Sequence, residues 1–125
     1  MSSNTGGRGG AIVNVSSGAS RLGSANEYVD YAASKGAIDT FTIGLAREVA
    51  AESIRVNAVR AGITATDIHA SSGDPGRVDR LAPRIPMKRV AQPEEIAQAA
   101  VFLASDGAGF ITGHTLHVNG GGYLA

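Results

Sequence analysis

Ala11-Ile12-Val13-Asn14-Val15-Ser16-Ser17-Gly18 opens as a short apolar, β-prone run and closes on two hydroxyls and a glycine. That is how a buried parallel strand reads at its carboxyl end, the place where open α/β sheets bind ligands. Residues 19–27 read as a loop, and a long helical pattern begins near Tyr28. Within it, Tyr31 and Lys35 stand four apart, so a phenol and an ammonium project from the same side of a helix. A free phenol is a poor acid or base at neutral pH. A cation about 4 Å away, at an effective dielectric of ~20, favours the phenolate by roughly 4 kcal/mol. A phenol so placed can exchange a proton with an alcohol or a carbonyl. Tyrosine and lysine at this spacing also occur as plain surface neighbours; the strand end upstream sets this pair apart. Ser17, Tyr31 and Lys35 together form a candidate proton-transfer site.

The rest of the chain supports an α/β reading. Residues 55–59 and 115–118 are two further strand candidates, giving about three parallel strands with flanking helices. Ile38, Phe41, Leu45 and Val49 follow a 3/4 spacing that predicts a buried helical stripe, serving as core or as subunit interface. A second helix is expected to open with Pro93 in its first turn and Glu94-Glu95 favoured by the dipole, and to bury Ile96, Ala99, Ala100 and Leu103. Glycine supplies 17 of 125 residues, but it gathers at the borders of these periodic segments, as turn formers do, so the chain is not of low complexity.

Composition narrows the function classes. Eleven basic and eleven acidic residues leave no net charge, which argues against a nucleic-acid or anionic-membrane partner. The absence of cysteine removes disulfides and thiolate metal sites and leads to the expectation of a cytoplasmic protein. His69, His114 and His117 are not at ligand spacing, and His114 and His117 would lie on opposite faces of an extended segment, so no metal site is expected. The first residues are glycines and serines without the charged start and apolar core of a leader, and no stretch has the length of a membrane span.

Four motifs in register carry a resemblance: Ile12-Val13-Asn14-Val15-Ser16-Ser17, Tyr31-Ala32-Ala33-Ser34-Lys35, Ile54-Arg55-Val56-Asn57-Ala58-Val59, and Ile111-Thr112-Gly113 followed by Val118-Asn119-Gly120-Gly121. From about Gly9 onward the chain resembles the short-chain dehydrogenase/reductase family, and is most similar to its glucose-dehydrogenase-like and 3-oxoacyl-carrier-protein-reductase-like members. The resemblance implies an NAD- or NADP-dependent oxidoreductase acting on a small-molecule alcohol or carbonyl. Tyr31 would be the catalytic acid/base, Lys35 would assist it and hold the nicotinamide ribose hydroxyls, and Ser17 would hydrogen-bond the substrate oxygen. Ser17 is preferred because the second serine of such a pair is the usual catalytic one, and Ser16 stays as the alternative. Tyr28 has Ala32 rather than a cation four residues on and reads as a packing residue.

By the same resemblance, Gly62, Thr64 and Thr66 would contact the nicotinamide end of the cofactor. Ala61 stands where the family usually has proline, a change that frees the unfolded backbone by about 0.4–1 kcal/mol and predicts a less ordered loop. Residues 64–90 are polar, with glycines and prolines, and read as a mobile substrate-covering segment. The family also implies a homo-oligomer formed through the helix of Tyr31 and Lys35.

One family element has no counterpart. A glycine-rich turn between the first strand and helix normally receives the pyrophosphate. Here Gly6, Gly7, Gly9 and Gly10 precede a strand instead of following one, and Gly18 with Gly23 lacks the third glycine. The expectation is therefore a partial Rossmann-like, doubly wound fold forming one domain over residues 1–125. Its nucleotide-binding half would be missing, residues 1–10 would be a disordered or turn-rich start, and Met1 would be an internal methionine of a longer frame. The first strand would then keep an open edge. A non-catalytic remnant, or an interaction module pairing with a full-length homologue, is the alternative reading.

Overall fold

The computed structural model describes residues 1–123. Three strands, β1 (Gly10–Ser17), β2 (Ile54–Ala61) and β3 (Thr115–Val118), form a parallel sheet in the order β1-β2-β3. The strand candidates were thus in place, and β1 and β2 each extend beyond the residues the pattern marked. Before β1, a 3₁₀ turn at Ser3–Thr5 folds back, and Gly9 N–H donates to Met1 O at 2.8 Å, so the start is turn-rich.

Among the described residues five α-helices accompany the sheet: α1 (Ala19–Leu22), α2 (Val29–Val49), α3 (Ile68–Ser71), α4 (Arg77–Leu81) and α5 (Pro93–Ala104). Part of the segment expected as a loop after Ser17 is the single turn of α1. The long crossovers are α2, between β1 and β2, and α5, between β2 and β3. Alternate residues of β2 sort the two onto opposite faces. Ile54 and Val56 pack with Ala46, Leu45 and Val49 of α2 and with Ile12 of β1, whereas Arg55 donates to Leu103 O at 2.7 Å at the end of α5.

β2 lies between both neighbours and both helix layers. Val56, Ala58 and Val59 are fully buried, and each buried valine contributes on the order of 1.5–3 kcal/mol. Asn57, also fully buried, donates to Ile111 O at 2.8 Å and accepts from His114 N–H at 3.0 Å, which fixes the turn that leads into β3. The outer edge of β1 has no partner strand among the described residues.

The helical stripe matches its expectation except at Phe41. Phe41 is 55% exposed, and the buried residues of α2 are Ala32, Thr42 and Ala46, with Ile38, Leu45 and Val49 half-buried beside them. Small side chains let the helix sit close to the sheet. Thr42 completes the contact by accepting a hydrogen bond from Asn14 Nδ2 at 2.9 Å. On α5 the expected face holds, with Leu103 buried and Ile96, Ala99 and Ala100 half-buried.

Two predictions follow from this packing. Leu103→Ala removes a side chain that is 1% exposed and should cost about 2–5 kcal/mol in urea unfolding. Phe110→Ser, at a fully exposed position, should stay within about 0.5 kcal/mol, and equal effects at the two sites would contradict the assigned core. At the start of α5, the Glu95 carboxylate accepts two bonds from Arg89 at 2.7 Å and one from Gln92 N–H at 2.8 Å. Arg89 first, and then the Gln92 amide, lower its pKa from 4.5 to about 2. The contribution of this depressed carboxyl is present above pH 4.5 and lost as pH falls through about 2. Carboxyl ¹³C NMR should give that midpoint and return it toward 4.5 in Arg89→Gln; a midpoint near 4.5 in the unaltered chain would refute the contact.

Candidate active site

The site residues arise from three adjoining segments at the carboxyl end of the sheet. Ser17 is the last residue of β1, in register with Ala61, the last residue of β2. Its Oγ accepts a hydrogen bond from Ala19 N–H at 3.2 Å, which leaves the hydroxyl hydrogen available for donation to a ligand oxygen. Ser16 faces the other way. It is 2% exposed, and its hydroxyl donates to Lys35 O at 3.4 Å.

Tyr31 and Lys35 lie on the first turns of α2, as their spacing predicted. Lys35 Nζ is 5.6 Å from the centre of the Tyr31 ring and donates to Val15 O at 2.9 Å. Lysine 35 therefore joins β1 at both ends: its ammonium holds the Val15 carbonyl, and its own carbonyl takes the Ser16 hydroxyl. Because Val15 and Ser16 directly precede Ser17, the clamp brings the helix of the phenol and the amine to the strand end of the serine. Tyr31 is 39% exposed, open to a ligand from solvent.

Gly62 follows β2 directly and donates to Val118 O at 2.9 Å. An added Cβ there would lie 2.8 Å from the Asn119 Cα, so close approach of two backbones already requires glycine at this position. Thr64 Oγ1 donates to Gly62 O at 3.1 Å, and Thr64 forms a parallel bridge with Ala91. Ala65 N–H and Ala91 N–H donate across that bridge at 2.9 and 3.0 Å. These bonds hold the loop that the missing proline was expected to loosen. Thr66 lies beyond them in exposed chain.

The segment over residues 64–90 contains α3 and α4, which composition alone did not reveal. It is tethered to the start of α2: Arg77 pairs with Glu27 at 2.6 Å, and Tyr28 OH donates to Ser72 O at 3.4 Å. Tyr28 is 40% exposed, so it is a tether more than the packing residue expected. A cleft of about 480 Å³ lies between Ile63, Val90, Ala91, Val118 and Gly120, and neither Ser17, Tyr31 nor Lys35 lines it. Ser17 stands instead at the end of β1, and Lys35 ties the start of α2 to the residues just before it. No group of three or more metal-ligating side chains occurs among the described residues, and no described helix is long and apolar enough to cross a membrane.

Comparison with known proteins agrees with this architecture. A family model described as enoyl-(acyl carrier protein) reductase matches residues 3–122. An oxidoreductase of Escherichia coli (strain K12), YgfF, itself described as uncharacterized, is 63% identical over 121 residues, covering 97% of this chain and 49% of its own. The 3-oxoacyl-acyl-carrier-protein reductase FabG of Vibrio harveyi is 44% identical over 117 residues, covering 94% of this chain and 47% of its own. Among solved structures, a short-chain dehydrogenase/reductase of Brucella melitensis described as a glucose/ribitol dehydrogenase superposes with a TM-score of 0.84 at 40% identity, over 92% of this chain and 46% of that one. The chain spans about half the length of the curated relatives it matches. With the strand-end serine, the tyrosine and lysine one turn apart and the three-stranded parallel sheet all in family order, the chain belongs to the short-chain dehydrogenase/reductase family.

Proposed function

We propose that this chain carries the proton-transfer half of an NAD(P)-dependent oxidoreductase that interconverts an alcohol and a carbonyl, with Tyr31 as the acid/base. The observation that supports it best is the Lys35 clamp, which sets an ammonium against the Tyr31 ring and fastens both to the strand that ends in Ser17. In this reading Ser17 donates its free hydroxyl hydrogen to the substrate oxygen, and Tyr31 gives or takes the proton at that oxygen. The nicotinamide, when bound, supplies or accepts the hydride.

The residues present fit the nicotinamide end of that cofactor. Lys35 uses one N–H on Val15 O, which leaves two others to donate to ribose hydroxyls. Gly62, Thr64 and Thr66 border the same end of the sheet, where the backbone of the loop is already pinned. Pyrophosphate recognition would need contacts outside these segments, since no glycine-rich strand-turn-helix occurs in the sequence. Exposed Phe41 and Ile43 on α2 suit a homo-oligomer, and a sequence without cysteine suits a cytoplasmic setting.

The open edge of β1 favours a second reading, an interaction module that pairs with a full-length homologue. Titration with NADH and NADPH, followed by nicotinamide fluorescence, and turnover of a carbonyl panel separate the two. The enzyme reading expects saturable binding near the micromolar range and turnover that falls about 10²–10⁴-fold in Tyr31→Phe while binding persists. No saturable signal would overturn it in favour of the module, and turnover indifferent to Tyr31 would overturn the role of Tyr31 as the acid/base.

A further inference from the structure

Beneath the strand ends, on the α2 face of the sheet, lies a polar group that proton transfer does not use. Arg60 is 6% exposed; one guanidinium nitrogen donates to Asp39 Oδ2 at 2.6 Å, and the other lies 3.1 Å from His117 Nε2. His117 meets the ring of Tyr123 edge-on at 5.1 Å, and that ring lies so close to Gly18 that an added Cβ would come within 2.5 Å of it. The hydroxyls of Ser16 and Ser20 face the Asp39 carboxylate. Burial by itself would raise the Asp39 pKa, but these two hydroxyls and then Arg60 outweigh it and hold the carboxyl below its ordinary range. The hydroxyl contacts are loose: the close partner of Ser16 is Lys35 O, and Ser20 Oγ and Asp39 Oδ1 complete no hydrogen bond.

Such a group does little for stability. Desolvation of a buried ion pair roughly cancels its attraction, and well-packed apolar side chains of similar volume are often as stable or more so. The buried polar atoms that find no partner among the described residues, Ser20 Oγ, Asp39 Oδ1, Arg60 Nε, His117 Nδ1 and Tyr123 OH, all belong to this group. Its distinctive property is where it sits. Ser16 precedes Ser17 and Ser20 follows it by three residues; Asp39 is one turn beyond Lys35 and two beyond Tyr31; Arg60 is two residues before Gly62; and His117 adjoins Val118, whose carbonyl takes the Gly62 amide. Every segment that carries a site residue is in contact with the pair or next to a residue that is.

We propose that the Asp39–Arg60 ion pair is the positioning device of the site, fixing the rotation and axial register of α2 against the strand ends so that Tyr31 and Lys35 meet Ser17. The inference rests on the reading of those three residues as one site. Apolar contact between helix and sheet is non-directional. A guanidinium held between two partners is directional, and it resists the 1.5 Å slide or 100° turn that one residue of helix register represents. A misplacement of about 1 Å is enough to cost a catalytic constellation ~10²-fold.

The test needs no turnover. In the full chain labelled with ring-¹³C tyrosine, Tyr31 is one of three tyrosines and can be followed by NMR. The double variant Asp39→Leu/Arg60→Met should match or exceed the urea midpoint of the unaltered chain and leave the Ile54 and Val56 methyl signals in place. Its Tyr31 ring signal should nevertheless move by more than a linewidth. Arg60→Lys keeps the charge but cannot span Asp39 and His117 together, and should displace Tyr31 by less. A folded double variant whose Tyr31 signal superimposes on the original overturns the proposal. Should the double variant not fold, Arg60→Lys decides: a displaced Tyr31 signal with unmoved core methyls supports the pair, and an unmoved one overturns it. Loss of the oxidoreductase reading would appear separately, as failure to bind a nicotinamide nucleotide, without altering this comparison.

Discussion

The contact on which the proposed site depends is the two-ended attachment of Lys35 to β1. Its ammonium holds the Val15 carbonyl at 2.9 Å while its carbonyl receives the Ser16 hydroxyl at 3.4 Å. A hydrogen bond from a charged donor is about twice as strong as a neutral one. Here it joins a helix start to a strand end across an interval of twenty residues. The same ammonium sits 5.6 Å from the Tyr31 ring, so one side chain both ties the helix to the strand and sets a charge beside the phenol. Without that contact, Tyr31 would be an exposed tyrosine on the first turn of a helix.

Around this contact the fold uses two kinds of force. The lower part of α2 is held by burial, with Ala46 against Ile54 and Val56. The upper part is held by polar contacts: Thr42 with Asn14, Asp39 with Arg60, and Lys35 with Val15. Burial fixes that the helix packs on the sheet, and directional bonds fix where along the sheet it sits. The loop after β2 follows the same division, with a close backbone approach at Gly62 and a hydrogen-bonded bridge at Thr64 to Ala91.

Much of this was legible in the sequence because it is local. The strand at Ala11 to Val15, the tyrosine and lysine one turn apart, and the proline and glutamates that open α5 each declare themselves within a few residues. The misreadings concern long-range partners. The stripe through Phe41 held at Ile38, Leu45 and Val49 and failed at Phe41, because α2 turns the small and polar side chains of Ala32, Thr42 and Ala46 to the sheet, and a hydrophobic pattern does not register Thr42. The charge that pairs with Asp39 comes from Arg60, 21 residues later on β2. A signal did exist: Arg60 continues an apolar strand, and a charge in that place requires a buried partner. Tyr28 has no cation four residues on, and its partner is the Ser72 carbonyl 44 residues away.

The most direct measurement is the ammonium of Lys35 itself. The chain has two lysines, Lys35 and Lys88, so ¹⁵N-lysine labelling gives two side-chain signals. The account predicts that the Lys35 ammonium exchanges slowly with water, shows a nuclear Overhauser contact to the Tyr31 ring, and shifts when NADH or NADPH is added while Lys88 does not. Two ammonium signals that exchange alike, with no contact to a tyrosine ring and no response to either nucleotide, would contradict it.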